Sequence, residues 1–438
     1  MSRKLLVLGA GTAGTTVVNK LRPRLDPAEW DITVVDRDDQ HQYQPGFLFI
    51  PFGDYEPKEV TRPRRQLIAS GVEIVTGEID RVLPEESAVL LQDGRRLAYD
   101  QLVIATGTTP RPDQTEGMLG GEWGKSVHEF YTLAGATALA AKLSAWEGGR
   151  LVVHITEMPI KCPVAPLEFA FLADDYFRRR NTRDRVEIIF VTPLDGAFTK
   201  PIASRRLGGM LQSRRIQLET DFLIERVDNE SKAIISFDER AVPFDLLVTV
   251  PLNMGAEFVA RSGLGDELNY VAVDKETFLS TRYDNIFAIG DAADLPTSKA
   301  GSVAHFAVEC FVDNFLAHIQ GRPMTERFDG HANCYVEAGS GKALLIDFNY
   351  DTEPLPGKYP LPVLGPFSLL KETGLNHWGK LMFKWIYWNV LLPGRPIPLP
   401  ALMSMAGKDT GSSKESHIRS GPLTTQRTPS SPGQTPRP

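Results

Sequence analysis

The sequence predicts an α/β protein. Two Rossmann-like, dinucleotide-binding-type domains, the second inserted into the first, precede an α+β region carrying an amphipathic helix. Three observations carry that expectation. The apolar run 4–8 leads directly into Gly9-Ala10-Gly11-Thr12-Ala13-Gly14 and then a helical stretch over 15–21. A second strand-like segment, 149–154, with apolar Leu151 to Val153 at its centre, begins mid-chain. A third, 285–289, closes on Gly290-Asp291 and precedes a helical pattern over 303–320. Short segments whose centres are wholly apolar suit strands buried on both faces, as in parallel sheets covered by helices.

The glycine-rich turn has a mechanical reading at each position. Gly9 permits a tight turn, Gly11 lets the backbone approach a pyrophosphate, and Gly14 lets the helix pack closely on the strand. The helix N-terminus then offers its N–H groups to phosphate. The next apolar strand, 32–35, ends in Asp36, 22 residues beyond Gly14, where a carboxylate can accept from a ribose hydroxyl. Strand, glycines, helix and acid together predict an adenine dinucleotide at the first module.

The aromatic stretch 40–54, punctuated by proline and glycine, reads as a loop, either lining the cofactor's far end or simply anchored by apolar side chains. Short strands are expected at 72–75 and 88–91 around an Asp93-Gly94 turn. A further buried strand, 102–104, runs into Ala105-Thr106-Gly107. After the second-module strand 149–154 comes not a glycine loop but residues 155–168, ITEMPIKCPVAPLE. No glycine there admits a pyrophosphate, and Pro159, Pro163 and Pro166 remove backbone donors. The second module is therefore expected to have lost any nicotinamide site.

Composition narrows the function classes. The 438 residues suffice for several domains, and 24% charged residues with a net charge of −7 argue against nucleic acid as a partner. Three cysteines in so long a chain do not make a disulfide scaffold. Met1-Ser2-Arg3 leads straight into the first strand, so synthesis in the cytoplasm without a signal peptide is expected. No apolar run approaches the length that spans a bilayer.

Gly9/Gly11/Gly14 at the start, Ala105-Thr106-Gly107 in the middle and Gly290-Asp291 late resemble the FAD-binding half of the disulfide reductase-like flavoproteins. In that setting Asp291 binds the ribityl side of FAD. Cys162-Pro-x-Ala-Pro-x-Glu168 on a glycine-less second module is similar to sulfide:quinone oxidoreductases and to flavocytochrome c sulfide dehydrogenase flavoproteins, over roughly residues 1–395. The resemblance implies a second redox cysteine near the flavin, a position that Cys334 fits, and a lysine loop beside flavin and quinone, matched by 295–301 with Lys299. It implies Cys162 and Cys334 as a redox pair, whereas Cys310, mid-helix, reads as a small buried hydrophobe. Glu168 reads as a base or proton relay, or as a helix-start charge complementing the dipole. Lys299 reads as a partner of reduced flavin or of a quinone carbonyl, or as a solvated loop lysine. Two departures stand out. His128 occupies the place of a third family cysteine, and 37–55 holds no cysteine to tether flavin, so non-covalent FAD is expected.

The stretch 376–392 is the most aromatic of the chain, with Trp378, Trp385, Tyr387 and Trp388, and with Lys380 and Lys384 at i, i+4. It suits a helix lying in a membrane interface, the lysines facing anionic lipid. A core helix packed on the flavin domain is the alternative. Phe383, Trp385 and Tyr387 are candidates to line a quinone channel.

The expected organisation is therefore an FAD domain from 1–112 and 241–325, a degenerate second module over 113–240, a C-terminal region over 326–400 and a disordered tail over 401–438. The resemblance implies a peripheral membrane enzyme passing electrons from sulfide through a cysteine disulfide and FAD to membrane quinone, with homo-oligomerisation left open. An NAD(P)H:quinone dehydrogenase requires a glycine loop that residues 154–168 lack. A non-enzymatic flavin protein docking sulfur carriers is the reading from another class.

Overall fold

The structure, a computed structural model, describes residues 2–361, 365–397 and 400–410. The first apolar run becomes strand Arg3–Leu8, whose last four residues are buried. It lies at the centre of a five-stranded parallel sheet, between Gln101–Ile104 and Trp30–Asp36, with Ile286–Ala288 and Val72–Thr76 at the edges. Helices Thr12–Leu21 and Gly301–Ile319 pack together on this sheet, both largely buried. A strand from late in the chain, Ile286–Ala288, thus completes the module begun by the N-terminal strand and its glycine turn. All of its strands point the same way, so the strand C-termini gather at one end, where such sheets bind ligands.

The second module is also a five-stranded parallel sheet. Its order is Val127–His128, Leu246–Val250, Gly149–Ile155, Val186–Val191, Ile216–Glu219. Leu246–Val250 is buried at every residue, because it pairs on both edges and is covered on both faces. The expected boundary at 241 therefore moves: this strand belongs inside the second module, and the chain returns to the first only afterwards. The return runs through Leu252–Gly255, paired antiparallel with Thr108–Arg111.

The C-terminal region forms a four-stranded sheet in the order Ala332–Gly339, Lys342–Phe348, Phe367–Leu369, Gly357–Tyr359, with helix Gly374–Ile386 against it. The helix continues through a π-helical turn, Tyr387–Leu391. Residues 40–54, expected as a loop, form a short strand and a run of 3₁₀ turns whose residues Gly46–Phe52 are buried.

The tail begins later than its composition suggests. The compact body of the chain runs through Lys408. Gly407 accepts from the Lys358 N–H at 2.8 Å, and Ala401 accepts from the His331 ring at 3.1 Å. The Lys408 ammonium is buried in an ion pair with Asp347. Small and polar residues read as tail because a strap held by backbone hydrogen bonds and one lysine has no apolar periodicity. Residues 411–438 of the expected disordered tail lie outside the described residues.

Candidate active site

The glycine turn adopts the geometry its spacing requires. Gly9 sits at φ +91°, and a Cβ on it would lie 2.6 Å from the Ala105 carbonyl. A Cβ on Gly14 would lie 1.9 Å from the Gly9 carbonyl, so the helix can approach the strand only with glycine there. Gly11 differs: a Cβ on it meets nothing within 4 Å and would project into open space.

That space is a cavity of about 390 Å³ across the C-terminal end of the first sheet. Gly9, Gly11, Asp36, Ala105, Thr106, Gly107, Gly290 and Asp291 all line it, as do Cys162, Glu168 and Lys299. Gly14 lies behind the turn and acts by packing alone. Asp36 Oδ2 accepts from Ala10 N at 2.7 Å, and its Oδ1 from Arg37 N at 2.8 Å, with Arg64 Nη1 at 2.9 Å. A carboxylate offers about four acceptor sites, which leaves one for a ribose hydroxyl. The Oγ1 atoms of Thr106 and Thr108 are buried without a partner among the described residues, and the Asp291 carboxylate makes no side-chain hydrogen bond among them. Burial pushes the Asp291 carboxyl upward, against the pull of Lys299 and Lys161. A glycine cradle with unpartnered polar groups along one trough fits an adenine dinucleotide.

The second module sends its strand-to-helix turn into the same cavity. Cys162 has φ +49°, unusual for a non-glycine residue, and is pinned at both sides. Its N–H donates to the Lys299 carbonyl at 2.6 Å, and the Tyr131 hydroxyl donates to its carbonyl at 3.2 Å. The turn thus docks onto the lysine loop, residue 161 bridging to residue 299. Burial pushes the Cys162 thiol well up, and the Glu168 and Cys334 charges push the same way. Cys334, on Ala332–Gly339, is pushed up to about 12, by burial first and then Glu168. Cys162 and Cys334 are both free thiols that feel the Glu168 charge; Cys162 lines the cavity, whereas Cys334 is not among its lining residues. Cys310 is buried mid-helix and lies outside the cavity lining. His128 is likewise buried outside it, 3.3 Å from the Lys125 carbonyl.

Lys299 is not a solvated loop lysine: it is 6% exposed. Its ammonium donates to the carbonyls of Asp291 (3.0 Å) and Ala293 (3.1 Å) and lies 3.7 Å from the Tyr270 ring centroid. Lys161, which sequence reasoning passed over, also lines the cavity, and its ammonium has no hydrogen-bond or ion-pair partner among the described residues. Burial lowers its pKa, opposed by Asp291 and Glu129. Its place beside Cys162 was the available signal.

Glu168 is 1% exposed in the first turn of helix Ala165–Arg179, and its Oε1 accepts from Glu337 N at 2.6 Å. The same oxygen pairs with Lys380. Lys380 was expected to face lipid; instead its side chain is 13% exposed and lines the cavity. Lys384 is taken up by Glu59 at 3.1 Å and by the Tyr55 ring. A buried carboxylate needs a nearby countercharge, and that need turns the lysine stripe inward. Tyr387 and Trp388, expected at an interface, are buried at 1% and 4%. The Tyr387 hydroxyl lies 2.8 Å from Thr12 Oγ1 and 2.7 Å from His41 Nε2, forming a wall of the cavity. Trp378 and Trp385 are exposed, with Leu375, Leu381 and Met382. No helix among the described residues is long and apolar enough to cross a membrane.

Residues 3–155 match the pyridine nucleotide-disulphide oxidoreductase family. The mitochondrial sulfide:quinone oxidoreductase of Dictyostelium discoideum is 26% identical over 399 residues, 90% of this chain and 86% of its own. That of Schizosaccharomyces pombe is 28% identical over 425 residues, 88% of this chain and 89% of its own. The sulfide:quinone oxidoreductase structure from Aquifex aeolicus superposes with a TM-score of 0.74 at 20% identity, covering 90% of this chain and 92% of that one. Along about nine-tenths of its length, in sequence and in fold, the chain is similar to the sulfide:quinone oxidoreductases.

Proposed function

We propose that the protein oxidises sulfide to sulfur or polysulfide and passes two electrons to a membrane quinone, with Cys162 and Cys334 as the redox pair and FAD as the carrier. The observation that carries this reading is the second module's turn. A cysteine-bearing, proline-rich segment docks on Lys299 at the cavity, where a nicotinamide enzyme needs an open glycine loop. FAD, when bound, supplies a two-electron acceptor that can be reoxidised by a quinone.

The chain's own residues do the rest. Gly9, Gly11 and Gly14 shape the phosphate turn; Asp36 takes a ribose hydroxyl; Ala105, Thr106, Gly107, Gly290 and Asp291 line the remaining trough. Cys162 and Cys334, linked as a disulfide, offer hydrosulfide an electrophilic sulfur. Its attack forms a persulfide on one cysteine and leaves a thiolate on the other. Glu168, whose charge acts on both thiols, serves as proton acceptor. Lys299 holds the Asp291–Ala293 backbone in place, and Lys161 contributes the uncommitted positive charge. The exposed stripe Leu375, Trp378, Met382 and Trp385 docks on the bilayer surface that holds the quinone.

Anaerobic titration of the purified protein tests the reading. Sulfide bleaches the flavin band, and NADH or NADPH at the same concentration does not. Rapid NADH reduction with steady turnover to a quinone analogue overturns it in favour of a dehydrogenase.

A further inference from the structure

Beyond the sulfurs and the flavin trough, the most unusual feature is a line of buried charged groups leading from the cysteines to the surface. Glu168 lines the cavity, 1% exposed, with Lys380 paired on its Oε1. Glu337, also 1% exposed, shares the Lys380 ammonium electrostatically with Glu168, and its N–H donates to Glu168 at 2.6 Å. Beyond Glu337 stands His377, whose Nδ1 lies 2.9 and 3.0 Å from the two carboxylate oxygens of Glu337. The His377 side chain is 27% exposed. Two carboxylates and one ammonium thus form a buried set with a single imidazole at its outlet. Burial favours the neutral form of each carboxylate, opposed first by Lys380 in both. Lys380 itself remains an ammonium, because the two carboxylates outweigh its own burial.

Burying two carboxylates around one lysine is costly unless the arrangement does something. A structural pair would close with one acid and one base, and the Glu168–Lys380 pair is already closed. Glu337 and His377 add a second carboxylate and a titratable ring leading outward, and neither touches the cavity. The proposed reaction needs such a route. Oxidising hydrosulfide to the level of elemental sulfur breaks its S–H bond, and the sulfur forms a bond to a cysteine sulfur instead. The two electrons leave by way of flavin to quinone, while the proton has to leave the buried sulfurs separately.

We infer that Glu168, Lys380, Glu337 and His377 form a proton relay that carries this proton from the cysteine end of the cavity to the surface. Glu168 takes the S–H proton; the Lys380 ammonium, held by Glu168 and the Tyr335 carbonyl, swings toward the Glu337 carboxylate to give it a proton and is reprotonated by Glu168; His377 receives the proton from Glu337 and releases it to water. No atom is oxidised or reduced along the relay. The charged and titratable groups facing it are Cys162 and Cys334 at the inner end, Tyr55 beside Glu337 and Lys380, and Asp54 opposite His377. His377 precedes the exposed Trp378, so the outlet opens beside the surface assigned to the bilayer. The relay rests on the sulfide-oxidising reading and extends it to two residues outside the cavity.

The test uses full-length, flavin-loaded protein, with His377→Ala and Glu337→Gln compared with wild type for sulfide-dependent reduction of a short-chain quinone analogue. Both variants should retain full flavin content and unchanged KM for sulfide and quinone, with kcat lowered about tenfold or more. The solvent deuterium isotope effect on kcat should rise, and added imidazole should restore His377→Ala but not Glu337→Gln. An unchanged kcat and isotope effect in His377→Ala overturns the relay even if Glu337→Gln fails to fold. A loss that imidazole does not rescue, with no change in isotope effect, overturns it as well, since that is the behaviour of a packing defect. Wild-type protein whose flavin sulfide cannot bleach overturns the parent reading instead, and the two failures are distinguished by that first measurement.

Discussion

Replacing Trp378 and Trp385 together by serine should release the protein from membranes while leaving its fold and its chemistry with soluble acceptors intact. The two indoles are 63% and 57% exposed on helix Gly374–Ile386. A tryptophan side chain offers up to about 250 Å², so the pair presents roughly 300 Å² of free surface. At about 25 cal/mol per Å², complete dehydration would contribute roughly 7 kcal/mol. Immersion of about half that area in the headgroup boundary gives roughly 3.5 kcal/mol, or between two and three powers of ten in the partition coefficient. Charge should contribute little, because Lys380 is ion-paired inside and Lys384 is held by Glu59. Flotation with vesicles at low and high salt measures both quantities. The double variant should remain in the soluble fraction, and the wild type should float nearly as well at high salt as at low. Activity with a long-chain quinone in vesicles should fall far more than activity with a short, soluble analogue. Trp388→Ser is the contrasting control: at 4% exposure it should destabilise the fold by about 3–5 kcal/mol and lower flavin content. If the double variant floats like wild type, or loses both acceptors equally, the interfacial assignment is wrong.

Four further outcomes follow from the geometry. Cys162→Ser and Cys334→Ser should each abolish most sulfide-dependent quinone reduction, while Cys310→Ser, buried outside the cavity, keeps it; steady-state assays of flavin-loaded protein decide this. Gly14→Ala should fail to fold or lose flavin, since its Cβ would sit 1.9 Å from the Gly9 carbonyl; Gly11→Val, open on that side, should fold as apoprotein, as circular dichroism and flavin absorbance would show. Lys408→Met should cost about 3–5 kcal/mol in chemical denaturation, because it leaves Asp347, 1% exposed, without its ammonium; truncation after Pro400 should be at least as damaging. Burial lowers the pKa of His154 to about 3 and that of His305 to about 4, so each stabilises fully above the ordinary value near 6.5 and loses that contribution as pH falls toward its folded value. Melting temperature should therefore drop on acidification through that window, and His154→Gln should flatten the drop.

The first module was legible because each of its features is local. A buried strand, a glycine turn and a helix within one short stretch specify their own geometry, and the strand ends at Asp36, Ala105 and Asp291 follow from the parallel topology. Cys162 and Cys334 were singled out through a resemblance to a family; the structure sets Cys162 in the cavity lining with Glu168, whereas Cys334 feels the Glu168 charge but does not line that cavity. What the sequence concealed depends on contacts across hundreds of residues. Lys380 and Lys384 at i, i+4 on an aromatic helix look the same whether they face lipid or a buried acid. Only the meeting of Lys380 with Glu168, 212 positions away, separates the two. The interfacial expectation failed at Tyr387 and Trp388 for the same reason: aromatic composition suits a cavity wall, where Tyr387 stands, or a packed core, where Trp388 is buried, as well as a bilayer. The module boundary moved because Leu246–Val250 is an apolar run compatible with either sheet until its pairing is known.

The second module shows how a Rossmann-type sheet can serve a site without a glycine loop after its central strand. Its strand Gly149–Ile155 still points its C-terminal end at the first module's cavity, where the turn after it delivers whatever the sequence supplies. A glycine loop there would leave space for phosphates. Residues 156–164 instead fill that space with prolines and buried Ile160 and Val164, and place Cys162 against Lys299. The helix that follows, Ala165–Arg179, then sets Glu168 one turn in, at the cavity rather than at solvent. The same topology that in a glycine-loop enzyme would admit a hydride donor therefore sets a sulfur and an acid, Cys162 and Glu168, in the cavity lining. On the proposed reading, the turn after this strand presents a sulfur and an acid to the cavity where a glycine loop would admit a nicotinamide, and sulfide rather than NAD(P)H is the donor that the site accommodates.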